Sequence, residues 1–385
     1  MNYVPVLIYI FGFSTLSFVL TMLVTPAFIG FLHKNRFGKQ IREESVDGAK
    51  STIFRSLHGK KVGTPTGAGI LVWGMTAVIV LLSGLLTSLD ILPKGFSVLD
   101  RGQTYLPLFT LVVTGLLGAL DDYYNIRGIG TKKGIGAKPK MFWLTLFALM
   151  GAWWFYSKLG YNELHLPALG DFFIGLWYIP LFAFVIIASS NAVNITDGLD
   201  GLAAGLLIMA FGAFGVLAFV DGLFILTAFC GILIGSLTAF LWYNIPPARF
   251  IMGDTGSLSF GATLGVIAML TNGAVILPII GFVFVMETMS SMLQICWKRF
   301  FGRKLFSIAP FHHLLEHRGF PEHNVTMRLW IVGGVAAVIG VIIGLLGFGV
   351  GSHSEAVQGW LFVILILAEL MYYGPAFYLF YAFLV

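Results

Sequence analysis

Charge is scarce in this chain. Asp, Glu, Lys and Arg supply 11% of its 385 residues, against about 25% in an ordinary soluble domain. That shortage, with 58% hydrophobic residues and a mean hydropathy of +0.90, excludes a globule solvated on all sides. Cysteine is nearly absent. Cys230 and Cys296 each lie inside an apolar run, which excludes a disulfide framework or a thiolate metal site and leaves them as packing residues. Strong internal repeats and low-complexity tracts are missing, and no segment has the composition of a soluble domain. The run from Met1 to Val24 lacks a basic leading segment and a small-residue cleavage pattern, so no cleavable signal peptide is expected.

What the chain has is long apolar runs. A spanning helix needs about 20 mostly apolar residues at about 1.5 Å per residue. Eleven segments qualify, at 5–32, 67–89, 104–120, 141–157, 172–190, 201–220, 223–242, 258–271, 274–297, 329–348 and 357–384. The third, fourth and eighth are short, and Pro278 and Gly281 predict a kink or break in the ninth. The expected fold is an all-α polytopic integral membrane protein of ten to eleven helices, forming one transmembrane domain over residues 1–385.

The few charges fix an expected orientation. Of the 23 Lys and Arg residues, 20 fall in four alternate loops at 33–65, 121–140, 243–257 and 298–328, and Lys94, Arg101 and Lys158 occupy the others. Cytoplasmic loops are enriched in Lys and Arg. The N-terminus is therefore expected outside and the four basic loops inside.

The polar residues able to do chemistry gather on those inner loops. Asp121 and Asp122 end the third apolar run, either as a solvated pair or as part of a site. In Ser190–Ala203, Asn191, Asn194, Asp197 and Asp200 recur every third residue, one stripe wherever the backbone is helical. The alternative, a polar turn capping the next helix, accounts for only one or two of the four. Met252-Gly253-Asp254-Thr255-Gly256-Ser257 suits a helix start, an oxygen-rich cation site or a phosphate cradle equally. His312 and His313 lie near Glu316, but no second cluster or Cys partner supports zinc. Lys61, Thr64, Thr66, Lys132, Lys133, Lys138 and Lys140 add donors, each lysine also explicable by topology alone. Glu287, inside the ninth span, is expected to be buried and hydrogen-bonded.

Five inner carboxylates, Asp121, Asp122, Asp197, Asp200 and Asp254, outweigh the nearby cationic groups. A like-charge pair about 4 Å apart costs about 4 kcal/mol at an effective dielectric of about 20. Convergence therefore calls for a divalent cation, and hard oxygen ligands select Mg²⁺ or Mn²⁺ over zinc. Phosphoryl chemistry at a membrane surface is the reading these residues favour.

The same motifs, in this order, resemble the polyprenyl-phosphate N-acetylhexosamine-1-phosphate transferase superfamily, and within it the phospho-N-acetylmuramoyl-pentapeptide transferases. The resemblance runs from about Lys60 to Trp330. It is carried by Gly63-Thr64-Pro65-Thr66, Asp121-Asp122-Tyr123, the long Ser190–Ala203 run, Met252–Ser257, Glu287-Thr288 with Gln294, and Ala309-Pro310-x-His312-His313 with Gly319-x-Pro321-Glu322.

The resemblance implies transfer of phospho-MurNAc-pentapeptide from UDP-MurNAc-pentapeptide to undecaprenyl phosphate, giving lipid I and UMP in peptidoglycan biosynthesis. It further implies Mg²⁺, a ten-helix homodimer in the bacterial inner membrane, surrounding membrane lipids and no nucleic-acid partner. By motif match Asp254 is the Mg²⁺ ligand, Asp121 beside Asp122 the base or nucleophile, and His312 a neighbour of the diphosphate. Lys61, Thr66, Asn194, Asp197, Asp200, Asn244, Gln294 and His313 would line the substrate site.

Four departures from the pattern stand out: Leu314 replaces a third consecutive histidine, Ile251 replaces an aromatic before Met-Gly-Asp, the glycine pair after Thr-Pro-Thr is altered to Gly67-Ala68-Gly69, and 357–384 adds a span beyond ten. Because a phosphate monoester with a second pKa of about 6 is largely dianionic at neutral pH, direct attack by the lipid phosphate is favoured over a covalent aspartyl intermediate. Two other functions fit parts of the sequence. One is a transferase using UDP-GlcNAc or another UDP-hexosamine. The other is a secondary transporter, although transporters place ionisable groups near the bilayer midplane whereas these acids stand at helix ends.

Overall fold

The structure is a computed structural model describing residues 3–35, 37–38, 63–128, 134–167 and 169–349. Lys61 and the span expected at 357–384 lie outside the described residues. The other ten expected spans all fall on helices, as the physics requires: in lipid, backbone N–H and C=O groups must be satisfied within the segment. These are α1 (Val4–Lys34), α2 (Gly69–Ser88), α3 (Tyr105–Arg127), α4 (Ala137–Trp154), α5 (Tyr178–Thr196), α6 (Leu202–Val220), α7 (Phe224–Asn244), α8 (Gly253–Leu270), α9 with α10 (Leu277–Ile280 and Phe282–Phe301), and α12 (Glu322–Gly349). A short α11 (Phe311–His317) carries the histidines. The ninth span breaks at Gly281, with Pro278 in the first turn of α9.

Seven helices among the described residues are long and apolar enough to cross a membrane. Three expected spans, α4, α8 and α10, fall short by composition, and the reason in α8 is its surroundings. Every residue from Thr255 to Leu270 is buried, so protein takes the place of lipid around it and hydroxyls and glycines are tolerated.

Helix α8 is the axis against which α2, α3 and α5 pack. Lipid gives little hydrophobic drive for helix association, so small residues and interhelical hydrogen bonds do the work. A Cβ at Gly69 would strike the backbone of Gly256, and one at Gly118 would strike the carbonyl of Asp254. Hydroxyls stitch the same interfaces: Thr255 donates to the carbonyl of Gly115 at 3.1 Å, Ser259 to that of Leu111 at 2.6 Å, and Ser190 to that of Leu258 at 3.1 Å.

One feature departs from the expected all-helical pattern. Between α4 and α5, β1 (Glu163–Leu166) pairs antiparallel with β2 (Gly170–Phe173), placing Glu163 opposite Phe173 and His165 opposite Asp171. Strands of four residues are too short to leave a clear alternation in sequence, and the His165–Asp171 contact at 2.7 Å ties the two. Cys230 is buried and Cys296 exposed, and they form no disulfide.

Candidate active site

The N-terminus of α8 is where the distant motifs meet. Residues 65–69 zip onto the segment before the helix: Ile251 donates its N–H to the carbonyl of Pro65 at 2.8 Å, while Ala68 and Gly69 donate to Ile251 and Met252 at 3.0 and 2.9 Å. Gly253 then turns with φ +75°, a left-handed conformation that favours glycine. A Cβ there would lie 2.5 Å from Asp122 Oδ2 and 3.0 Å from Thr66 Oγ1. Thr66 and Asp122 thus flank one glycine.

Four carboxylates surround this helix start, each held differently. Asp122 accepts the N–H groups of Asp254 and Thr255 at 3.2 and 3.0 Å. Asp197 Oδ2 accepts the N–H of Gly253 at 3.2 Å. Both exploit the unpaired amides and positive dipole end of a helix N-terminus. Asp254 lies in the first turn, where Asn194 Nδ2 donates to its Oδ1 at 2.9 Å and to Ser257 Oγ at 2.8 Å. Asp121, buried, accepts the N–H of Ile135 on Oδ1 at 2.6 Å. The remaining oxygens of Asp121 and Asp254 converge on the Lys140 ammonium, at 2.9 and 2.5 Å.

Asp121, Asp122, Asp197 and Asp254, over 130 residues apart at the extremes, therefore share one site with Thr66, Asn194 and Lys140. The expected stripe of four polar residues does not persist. Helix α5 ends at Thr196, so Asn194 faces the site while Asn191 turns back to the carbonyl of Ile187 at 2.7 Å, and Asp197 and Asp200 belong to the following turn.

Asp200 and Asn244 fasten that turn from behind. Asp200 Oδ2 accepts the N–H of Ala248 at 3.0 Å, and its own N–H donates to Glu322 Oε1 at 2.7 Å. Asn244 accepts from the N–H of Gly201 at 3.0 Å and donates to the carbonyl of Phe250 at 2.9 Å. Gln294 clamps the segment after α10, accepting from the N–H groups of Leu305 and Phe306 at 3.1 and 2.9 Å and donating to the carbonyl of Phe306 at 3.0 Å. Phe250 packs in the core against Phe240 and Tyr243 and does not substitute for the aromatic missing at Ile251.

The histidines take separate partners. His312 Nδ1 pairs with Glu287 Oε2 at 2.9 Å, both side chains fully buried, and the backbone N–H of His312 donates to the same oxygen at 3.2 Å. His313 Nδ1 pairs with Glu316 at 2.8 Å. Divergent partners do not make a zinc site. His312 Nε2 presses against Gly198, where a Cβ would collide with it, and so reaches the turn carrying Asp197.

No group of three or more His, Cys, Asp and Glu side chains among the described residues forms a metal cage. Magnesium does not need one, since it is commonly held by one or two carboxylates with water and substrate phosphates. Two carboxylate oxygens already converging on one cation position, at a helix end fit for anions, match that donor set. Among the donor lysines that topology alone also explained, Lys140 is the one placed between two site acids. Its signal was a cation in the first turn of α4, where the helix dipole disfavours positive charge unless an anion faces it.

A polytopic helical membrane protein with an acidic, amide-rich centre at a helix N-terminus is built for phosphoryl or glycosyl-phosphate chemistry, and residues 104–272 match the family described as glycosyl transferase family 4. The phospho-N-acetylmuramoyl-pentapeptide-transferase of Chloroflexus aggregans is 37% identical over 356 residues, covering 89% of this chain and 91% of that one. The proteins of the same name from a Geobacillus strain and from Bacillus anthracis are 38% and 37% identical, each covering 85% of this chain and 95% of its own length. The chain belongs to the phospho-N-acetylmuramoyl-pentapeptide-transferase family.

Proposed function

We propose that this chain transfers phospho-MurNAc-pentapeptide from UDP-MurNAc-pentapeptide to undecaprenyl phosphate, giving lipid I and UMP, as a Mg²⁺-dependent homodimer whose site faces the cytoplasm across the bacterial inner membrane. The observation that carries the reading is the convergence of Asp121, Asp122, Asp197 and Asp254 around one helix N-terminus. The relatives supply the substrate class by name. The excess of Lys and Arg on the four site-bearing loops supports the cytoplasmic orientation.

In this scheme an oxygen of the lipid phosphate attacks the phosphorus that carries the sugar. The new P–O bond forms as the bond to the bridging diphosphate oxygen breaks, and that oxygen leaves on UMP. Asp254 and Asp121 would hold the Mg²⁺, which when bound neutralises diphosphate charge. With Oδ1 held by the N–H of Ile135 and Oδ2 turned to the cation position, this carboxylate would serve as a fixed anion that orients the nucleophile. That arrangement favours direct attack. Asp122 and Asp197 keep the helix N-terminus in place, and positioning of this kind supplies most of the barrier reduction in phosphoryl transfer.

The test offers purified protein UDP-MurNAc-pentapeptide, or UDP-GlcNAc, with undecaprenyl phosphate and follows UMP. Release with the muramoyl nucleotide alone supports the proposal. Release with UDP-GlcNAc alone overturns the substrate assignment, and uptake of a solute into proteoliposomes without UMP release would overturn the enzyme.

A further inference from the structure

The cation position between Asp121 and Asp254 is filled by the protein itself. Each carboxylate has one oxygen committed to a neutral donor, Asp121 to the N–H of Ile135 and Asp254 to the amide of Asn194. Each gives its other oxygen to Lys140. A divalent ion bridging these two acids needs the same two oxygens.

We propose that Lys140 is the site's internal counter-cation: its ammonium stabilises the acid pair without metal, and a divalent ion must displace it to bind. The proposal rests on the Mg²⁺ reading above and deepens it.

Two like charges this close repel, and an ammonium between them removes the repulsion. Its release is physically open. Lys140 lies in the first turn of α4, its side chain is 18% exposed, and a lysine is a compact charge on a flexible four-carbon stem that can swing into water. Displacement has a thermodynamic consequence. On nucleotide-free protein the metal binds against the ammonium and so binds weakly. An incoming nucleoside diphosphate offers the displaced ammonium new phosphate oxygens, which couples metal binding and diphosphate binding in the same direction, and such coupling is reciprocal.

The experiment measures Mn²⁺ binding to the full-length, nucleotide-free protein in detergent, by the loss of the electron paramagnetic resonance signal of free Mn²⁺. Lys140→Met is expected to bind Mn²⁺ about tenfold or more tightly than wild type, and Lys140→Arg, which keeps the charge, to bind as weakly as wild type. Equal or weaker binding by Lys140→Met overturns the proposal. Adding Asp254→Asn to Lys140→Met separates the two readings. Loss of binding with no prior gain from Lys140→Met sinks the counter-cation alone, whereas binding that survives Asp254→Asn, or no binding in any form, sinks the metal assignment and the proposal together. A second measurement needs no variant: saturating Mg²⁺ should raise the acetylation rate of Lys140 in wild type, and an unchanged rate overturns the proposal.

Discussion

Asp122 caps the helix on which Asp254 sits, accepting the N–H groups of Asp254 and Thr255 at 3.2 and 3.0 Å. The acid next to Asp121 therefore sets the position of an acid 132 residues away. Asp122→Ala should cost about 1–2 kcal/mol of stability, as loss of a helix N-cap does, and lower UMP release at least about tenfold by letting Asp254 shift. Thermal unfolding and turnover measured on one preparation check this. An unchanged melting temperature would contradict the capping role.

The contact between Gly118 and the Asp254–Thr255 backbone fixes how near α3 comes to α8. Gly118→Ala should push the helices apart, destabilise by about 1–3 kcal/mol in the manner of overpacked cores, and separate Asp121 from Asp254. Gly12→Ala, with nothing within 4 Å of the added methyl, should be harmless. Melting temperatures of the two variants should differ by several degrees.

Gln294 distinguishes a substrate contact from a structural clamp. Its side chain satisfies the backbone of Leu305 and Phe306, so Gln294→Ala should cost about 1–3 kcal/mol in unpaired backbone groups and lower stability and turnover together. A higher KM for the nucleotide with stability untouched would instead place Gln294 on the substrate.

Glu287 holds the buried ring of His312 against the Asp197 turn. Glu287→Ala leaves the buried backbone N–H and Nδ1 of His312 without their partner, a loss of about 1–3 kcal/mol for each group left unsatisfied. Glu287→Gln keeps an acceptor for Nδ1 and should retain most of the stability. Equal melting temperatures for the two variants would show that the pair does not hold this part of the fold.

Much of this site was legible because its chemistry is written in short, polar stretches within a lipid-like sequence. An Asp-Asp at the end of an apolar run or a repeated Asn/Asp spacing has few structural explanations in such a setting. The division of labour was not legible. Asp200, Asn244 and Gln294 carry the same kinds of donor and acceptor groups as Asn194, yet their hydrogen bonds go to backbone while those of Asn194 go to Asp254 and Ser257, and only tertiary placement separates the two uses. Lys140 was hidden for a related reason: one lysine among many on a basic face is explained by topology until its two anionic partners are seen. The burial of α8 was equally hidden, since its hydroxyls and glycines read as a weak span until protein was found on every side.

In the proposed function Asp254 and Asp121 jointly organise a magnesium-assisted phosphoryl transfer. The most direct measurement is UMP release from UDP-MurNAc-pentapeptide and undecaprenyl phosphate, with and without Mg²⁺, by wild type, Asp254→Asn and Asp121→Asn. Strict dependence on Mg²⁺ is expected in wild type, with a loss of at least about 100-fold in each variant, the scale of removing one preorganised electrostatic contact from a transition state. Full Mg²⁺-dependent turnover by Asp254→Asn, or turnover in wild type indifferent to Mg²⁺, would contradict this assignment.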